Sequence, residues 1–194
     1  MSELKSLARP PVSELKAELK RERYKRRFSR LLRNTVFTLI VVAAVAVLAA
    51  TLWFPVMRIF GNSMTPTLEE GEIVVAVKGS AFQTGDVIGF YYGNKLIVKR
   101  YIAGPGDWVD IKEDGTVFVN GVRLDEPYLK EKALGDCDIA LPMQVPEDRY
   151  FVMGDHRSTS VDSRNSVIGC VAKEQIVGKI VLCIWPFSKF GGLN

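Results

Sequence analysis

The feature that most constrains the fold of this chain is a run of residues without charge from Asn34 to Phe54. About 20 apolar residues in an α-helix span the roughly 30 Å hydrocarbon core of a membrane. Trp53 and Phe54 end the run, and aromatic rings favour the membrane–water interface. A cleavable signal peptide is the alternative, but its apolar region is typically about 7–15 residues long. The length of the run therefore favours an uncleaved transmembrane helix over residues 34–54.

Charge is distributed unevenly on the two sides of this run. Residues 1–54 carry 11 Lys and Arg against 4 Asp and Glu, whereas residues 55–194 carry 15 against 18. Basic residues beside a membrane span stay in the cytoplasm. Residues 1–33 are therefore predicted to form a cytoplasmic tail, either solvated or loosely helical, and residues 55–194 a domain outside the cell membrane. A nucleic-acid-binding protein needs a basic face on its folded part, so nucleic acid is not expected as a partner.

Cysteine and histidine are too sparse and too widely spaced for a metal centre. The three cysteines, Cys137, Cys170 and Cys183, cannot all pair within the chain because their number is odd. They are interpreted as packing residues, and a single disulfide between two of them remains an alternative. Together with the single histidine, His156, they form no cluster with the spacing of a zinc site. Neither a metal nor an organic cofactor is therefore expected.

The pattern of residues 55–194 is typical of a mostly β protein. Alternating apolar residues and turn signals predict strands over residues 72–77, 86–92, 96–102, 108–111, 117–119, 122–124, 149–153, 169–172 and 176–185. Gly93-Asn94 and Asn120-Gly121 have the composition of tight hairpin turns. Residues 125–148 contain prolines at positions 127, 142 and 146 and are predicted to form a long loop.

A candidate nucleophile follows the apolar run in the segment Gly61-Asn62-Ser63-Met64-Thr65-Pro66-Thr67-Leu68. Gly61 allows the backbone to approach a ligand closely, and Pro66 fixes the turn that follows Ser63. The short connection from Phe54 keeps Ser63 within about 30 Å of the predicted membrane surface. Taken alone, such a segment is more often an ordinary turn, because a serine becomes a nucleophile only where another group accepts its proton.

Two residues are candidates for accepting that proton. His156 would complete a Ser/His/Asp triad, but it lies in a polar turn beside Arg157. Lys99 is the better candidate, because side chains alternate along a strand and place it on one face with Ile97 and Tyr101. Burial among apolar neighbours lowers the pKa of a lysine, and a neutral amine is a competent general base. The alternative is a lysine at a sheet edge whose ammonium reaches water.

Four motifs occur in order along the chain, from Gly61 to Leu68, Thr84 to Val87, Val98 to Asp107, and Met153 to Arg164. Together they resemble the conserved boxes of bacterial type I signal peptidases (leader peptidases), a family of Ser/Lys proteases. The resemblance extends from the apolar run almost to Trp185, and four ordered motifs make it specific. It implies a membrane-tethered, mostly β catalytic domain with a smaller, hairpin-rich cap subdomain at about residues 103–149.

The resemblance also implies roles for five residues. Ser63 matches the nucleophile of the family, and Lys99 matches its general base. Ser160 matches the serine that hydrogen-bonds and orients that lysine. Asp162 and Arg164 match a structural ion pair beneath the site, so they are expected to support it without taking part in the chemistry.

The chain departs from the family pattern at two positions. Many relatives have asparagine where this chain has His156, so the histidine is not expected to take part in the mechanism. Some relatives have a serine at the position of Gly61, and its hydroxyl helps to hold the oxyanion. In this chain the oxyanion would rest on the backbone N–H of Ser63 and on a second donor that the sequence does not assign.

The implied activity is that of a membrane-bound serine endopeptidase, which removes signal peptides from translocated preproteins through a Ser/Lys dyad and an acyl-enzyme. The resemblance implies a preference for small residues before the cut, and the shallow pockets are expected near Ile59, Val75 and Ile97. Preproteins, membrane lipid and the protein-translocation machinery are the partners to consider. The alternatives are a membrane-anchored β-domain adaptor that binds secreted peptides without catalysis, and a Ser/Lys self-cleaving regulator.

Overall fold

The computed structural model describes residues 11–193, so the first ten residues of the predicted tail lie outside the described part of the chain. The described residues form two compact units, one that ends at Ala49 and one that begins at Ala50. The first unit is helical, and the second contains the β-structure.

One helix, α1 (Val12–Trp53), contains 42 residues and includes both the described part of the tail and almost all of the apolar run. Within residues 11–193 it is the one helix long and apolar enough to cross a membrane. Its apolar side chains are exposed all round, which in water is unfavourable by about 25 cal/mol per Å² of apolar surface. Because 42 residues of helix extend about 60 Å, the hydrocarbon core has room for the apolar half alone.

Twelve strands follow among the described residues. In chain order they are β1 (Val56–Arg58), β2 (Ile73–Lys78), β3 (Val87–Tyr92), β4 (Lys95–Ala103), β5 (Trp108–Ile111), β6 (Val117–Val119), β7 (Val122–Arg123), β8 (Met143–Gln144), β9 (Arg149–Met153), β10 (Val171–Ala172), β11 (Ile176–Trp185) and β12 (Gly191–Gly192). The larger sheet has the order β1-β2-β11-β3-β4-β9-β10, with β12 also paired to β11, and its pairs are antiparallel. The smaller sheet has the order β7-β6-β5-β8.

The mostly β fold and its N-terminal apolar helix agree with the prediction, and the strands missing from the prediction are short. β1, β8 and β12 contain three, two and two residues, which is too short for an alternating pattern to appear. β8 lies inside the predicted loop, next to Pro142, and pairs with the start of β5. The smaller sheet falls within residues 103–149, and its description as a cap subdomain remains a prediction.

The buried side chains of the β unit form three apolar clusters that hold the functional segments. One joins the two sheets, since Ile102 and Phe151 of the larger sheet share it with Val109 and Val117 of the smaller one. The other two clusters draw on different positions of β4: Val98 packs against one, whereas Ile97 and Tyr101 pack against the other. The alternation predicted for this strand is therefore observed.

Candidate active site

Ser63 lies in the loop between β1 and β2, and backbone hydrogen bonds close this loop at its base. The N–H of Ile59 donates to the carbonyl of Glu72 at 2.8 Å, and the N–H of Gly71 donates to the carbonyl of Ile59 at 2.9 Å. These bonds extend the β1–β2 ladder by about one residue pair. They fix the two ends of the loop relative to the sheet.

Inside the loop, apolar anchors alternate with exposed positions. Met64 and Leu68 are buried in the cluster that contains Val74, whereas Ser63 is partly exposed. Gly61 has a φ of +77°, in the left-handed region that glycine adopts without strain. Among the described residues the N–H of Ser63 donates to no acceptor. The loop therefore presents both the hydroxyl and the free N–H of Ser63 from a backbone anchored in the core.

Lys99 lies in the middle of β4, opposite Ile88 of β3, and its side chain is buried. Its Nζ donates a hydrogen bond to Ser160 Oγ at 2.9 Å. Burial is the main cause that lowers the pKa of Lys99 from 10.5 to about 8, partly offset by the negative charge of Asp162. About a tenth of the Lys99 side chains are therefore uncharged at pH 7, far more than for a lysine with a pKa of 10.5.

Gly154, which follows β9, brings Ser63 and Ser160 together. A Cβ added at Gly154 would collide with the carbonyl oxygen of Ser63, at 2.5 Å, and with the side chain of Ser160. The N–H of Gly154 donates to Asp162 Oδ2 at 2.8 Å. Because Lys99 contacts Ser160, this close packing places the amine in the immediate surroundings of the nucleophile loop. The sequence analysis did not identify Gly154; its signal is a glycine directly after a buried strand.

Asp162 and Arg164 form a buried ion pair with two parallel hydrogen bonds. Arg164 Nε lies 2.8 Å from Asp162 Oδ1, and Arg164 Nη2 lies 2.8 Å from Asp162 Oδ2. Burial alone would raise the pKa of Asp162, but the hydrogen bond and charge of Arg164, with the N–H of Gly154, hold it below its usual range. Arg164 Nη1 also donates to the carbonyl of Leu134 at 2.6 Å. The pair thereby joins the segment after β9 to the long loop before β8.

Two further buried ion pairs, which the sequence analysis missed, surround this segment. Arg100 bonds Asp155 through Nε at 2.8 Å and Nη2 at 2.5 Å, and its guanidinium lies 3.7 Å from the ring centre of Tyr128. Arg157 pairs with Glu126. The available signal was the presence of charged residues inside or next to apolar strands, as at Arg100. Removing one partner from a buried pair typically costs about 3–5 kcal/mol.

His156 does not have the surroundings of a catalytic base. Its backbone N–H donates to the carbonyl of Ser63 at 3.0 Å. Its Nδ1 is buried and has no hydrogen-bond partner among the described residues. The neighbouring carboxylate, Asp155, instead bonds Arg100 and Thr67. The carboxylate that orients the imidazole in a Ser/His/Asp triad is therefore missing here.

Ser63 opens onto a cleft of about 200 Å³. Two of the three predicted pocket residues, Ile59 and Ile97, line this cleft. Val75 does not; its neighbours Val74 and Ala76 pack into the cluster that contains Ile59, so alternation along β2 directs Val75 to the opposite face of the sheet. The cleft is bordered by residues of β1 and the loop that follows it, and by the first half of β4.

The structure brings Ser160, Asp162 and Arg164 together around Lys99, but it does not join Lys99 to Ser63 by a hydrogen bond. Over residues 11–193 the hydroxyl of Ser63 makes no hydrogen bond, and Nζ of Lys99 is directed to Ser160. The same residues contain no group of three His, Cys, Asp or Glu side chains that could hold a metal ion. The three cysteines are free thiols.

Ser63 is thus partly exposed in a cleft of the mostly β unit, and Lys99 is buried beside Ser160 with a lowered pKa. The family model described as signal peptidase, peptidase S26, matches residues 32–185. The chain belongs to this family.

Two signal peptidases of similar sequence support this assignment. The chain is 34% identical over 177 residues to signal peptidase I of Bacillus licheniformis, covering 81% of this chain and 92% of the relative. It is 40% identical over 150 residues to signal peptidase IB of Staphylococcus aureus, covering 67% and 77%. A crystal structure of a signal peptidase I from Enterococcus faecalis V583 aligns with a TM-score of 0.42 and 30% identity, over 52% of this chain and 97% of that one.

Proposed function

We propose that this protein is a membrane-bound endopeptidase that removes signal peptides from preproteins, with Ser63 as nucleophile and Lys99 as general base. The observation that carries the proposal is the Lys99 amine, buried, lowered in pKa to about 8 and hydrogen-bonded to Ser160 at the edge of the Ser63 loop. A buried lysine destabilises a fold, so its presence is best explained by a functional use of its neutral form. General-base catalysis is such a use.

The proposed reaction begins when substrate enters the cleft. Neutral Lys99 accepts the proton of Ser63, and the serine oxygen attacks the scissile carbonyl carbon. For this step the lone pair of the amine accepts the proton while one of its N–H groups stays bonded to Ser160; the Ser63 hydroxyl comes within reach when substrate binds, since catalytic hydrogen bonds are often long until then. The oxyanion that forms is held by the free N–H of Ser63, and the second donor remains unassigned.

The remaining steps use the same two residues. Protonated Lys99 gives its proton to the leaving amine, so the peptide bond breaks and the signal peptide stays esterified to Ser63. Water then loses a proton to Lys99 and attacks the ester carbonyl. The signal peptide leaves with a free carboxylate, and the serine hydroxyl is restored. The chain's own residues supply every proton transfer, so the scheme requires no metal ion or cofactor.

Two unpaired strand edges support binding of an extended peptide in the cleft. β1 pairs with β2 on one side, and among the described residues its other edge is free. The pairing of β4 with β9 begins at Arg100, so residues 95–98 pair with β3 alone. An extended peptide can add to such edges through main-chain hydrogen bonds, while alternate side chains enter pockets. The small cleft near Ile59 and Ile97 fits small residues before the cut.

The proposed topology follows from charge. The basic half of α1 stays in the cytoplasm and the β unit lies outside the membrane, on the side where a translocated signal peptide ends. The preprotein is then the substrate and membrane lipid surrounds the anchor. Contact with the translocation machinery is part of the same proposal.

The two rival activities have less support. A Ser/His/Asp hydrolase would need a carboxylate at Nδ1 of His156, which has no partner among the described residues. A non-catalytic adaptor has no use for a buried lysine whose pKa is lowered. The peptidase accounts for both features, because it uses the amine of Lys99 and leaves His156 outside the chemistry.

The test is cleavage of one signal-bearing precursor by the full-length protein in detergent with added lipid. The wild type is expected to shorten the precursor, and Ser63→Ala and Lys99→Ala to lose the rate by several orders of magnitude. His156→Ala, the matched control, keeps most of the activity. Cleavage by Lys99→Ala at the wild-type rate would refute the proposal. A wild type that binds the precursor without shortening it would favour the adaptor.

A further inference from the structure

A second cavity, of about 260 Å³, adjoins the nucleophile loop and has no role in the reaction above. It is lined by Thr65 and His156 and by Lys130 and Glu131 of the long loop. It shares no lining residue with the cleft onto which Ser63 opens. The hydrogen bond from the N–H of His156 to the carbonyl of Ser63 joins the wall of this cavity to the nucleophile.

We propose that this cavity, which we call the mature-side cavity, binds the first residues of the mature protein; the proposal rests on the signal-peptide cleavage proposed above. A peptide whose scissile bond lies at Ser63, and whose signal-peptide end occupies the cleft, continues past Ser63 on the other side. Thr65 lies two residues beyond Ser63 in the loop. Their Cα atoms are at most about 7 Å apart, a distance that two residues of extended peptide cover, so the cavity is in reach of about the second residue after the cut.

The charges that line the mature-side cavity are available to a ligand. Lys130 and Glu131 are exposed, and among the described residues neither forms an ion pair. The adjacent charges of Asp155 and Arg157 are already paired with buried partners. Among the described residues that line the cavity, one cation and one anion therefore form no ion pair.

His156 adds a free polar group to the same wall. Its Nδ1 is buried, so the partly exposed ring presents its opposite edge, which carries Nε2, to solvent. Lys130, Glu131 and His156 therefore give this cavity three polar groups that a ligand can bind. The ligand class is accordingly an extended peptide with a polar or charged side chain.

The wall that carries Lys130 and Glu131 is held in place by buried contacts on both sides. Before it, Glu126 pairs with Arg157. After it, the carbonyl of Leu134 accepts a hydrogen bond from Arg164 at 2.6 Å. The free charges therefore extend from a fixed part of the long loop, as a selective subsite requires.

Charge reversal tests whether the cavity selects precursors by the charge of the second mature residue. Two precursors that differ only in Glu or Lys at the second mature residue are compared by kcat/KM. Lys130→Glu is expected to lower the Glu:Lys preference, and Glu131→Lys to raise it, each by about two- to fivefold at low salt. The shifts shrink at high salt because these charges are exposed. Lys173→Glu makes the same charge change elsewhere on the surface and leaves the preference unchanged. Equal shifts in Lys130→Glu and Lys173→Glu would overturn the proposal.

Photo-crosslinking tests the same site without cleavage. Inactive Ser63→Ala protein is mixed with a precursor that carries a photoreactive residue at the second mature position. Labelling of residues 130–133 or 156–158 is expected, whereas a probe at the last signal-peptide residue labels the cleft. If the cleft probe labels and the mature-side probe labels neither segment, the mature-side cavity is not the subsite. If both probes label as expected but the wild type does not cleave, the site stands and the proposed catalysis fails.

Discussion

Nζ of Lys99 lies 2.9 Å from Oγ of Ser160, and Lys99 is only 3% exposed to solvent. The hydroxyl of Ser160 accepts the hydrogen bond and so fixes the direction of the amine without adding a charge. Desolvation keeps the pKa low, while the hydrogen bond keeps the side chain in one place. A general base needs both properties, a low pKa and a fixed position.

The pH dependence of cleavage is expected to follow the neutral fraction of Lys99. The pKa of the amine is lowered from 10.5 to about 8 by burial, so the active form increases as the pH rises. We expect kcat/KM to rise about tenfold per pH unit below pH 8 and to level off above it. Initial rates on a precursor between pH 6 and 9.5 measure this profile. A flat profile, or a rate that falls over this range, would exclude Lys99 as the base.

Ser160→Ala is expected to lower kcat by about tenfold to a hundredfold with little change in KM, because the amine loses its fixed direction while the cleft is unchanged. Steady-state kinetics on a precursor separate the two constants. Ser163→Ala is the matched control, since Ser163 is buried nearby but bonds the N–H of Val152 and the carbonyl of Gly169. That variant should lose stability and keep its kcat. Equal kcat values for Ser160→Ala and the wild type would remove Ser160 from the positioning role.

Replacing Lys99 with methionine is expected to stabilise the fold at neutral pH. The folded state lowers the pKa of Lys99 from 10.5 to about 8, so the unfolded chain binds the proton more tightly. The stability of the wild type is therefore reduced below pH 8 and rises between pH 8 and 10.5. Lys99→Met should be more stable at pH 7 by up to about 3 kcal/mol, less the cost of leaving Ser160 without its donor.

This difference in stability should disappear as the pH approaches 10.5. The free energies of unfolding of wild type and Lys99→Met are compared at pH 7 and pH 10 by urea unfolding, monitored by tryptophan fluorescence. Lys173→Met removes an exposed lysine and should show no such pH-dependent difference. A Lys99→Met variant less stable than the wild type at pH 7 would show that Lys99 is not under desolvation strain.

Gly154→Ala is expected to damage the site because an added Cβ has no space. It would meet the carbonyl oxygen of Ser63 at 2.5 Å and the side chain of Ser160. We expect the loop to shift and kcat to fall by at least about a hundredfold, since small displacements of reacting groups are costly. Gly191→Ala is the control, because nothing lies within 4 Å of its added Cβ. Wild-type kcat in Gly154→Ala would show that this contact does not position the site.

Local patterns predicted the strands that position Lys99. The apolar neighbours of Lys99 and the alternation along β4 indicated its burial, and the structure has Lys99 buried. These signals come from residues close in sequence, namely the alternation of side chains along a strand and the residue preferences of turns. The same reasoning predicted most strands of the larger sheet, and their first and last residues are correct to within a few positions.

Contacts between distant segments were not predictable in this way. Arg157 pairs with Glu126 across 31 residues of sequence, and Arg100 with Asp155 across 55. No short-range sequence pattern connects such partners, because they are brought together by the order of strands in the sheet, which depends on the whole fold. Val75 illustrates the same limit: its strand was predicted, but the face of β2 that borders the cleft depends on contacts of Val74 and Ala76 with distant residues.

The free edge of residues 95–98 bears on how many substrates one such enzyme can serve. Backbone N–H and C=O groups are the same for every amino acid except proline, so an edge that binds through them is indifferent to most side chains. Selectivity then depends on the few substrate residues whose side chains enter a cavity. A peptidase built in this way can process precursors of widely different sequence, provided that each one presents a short extended segment free of proline.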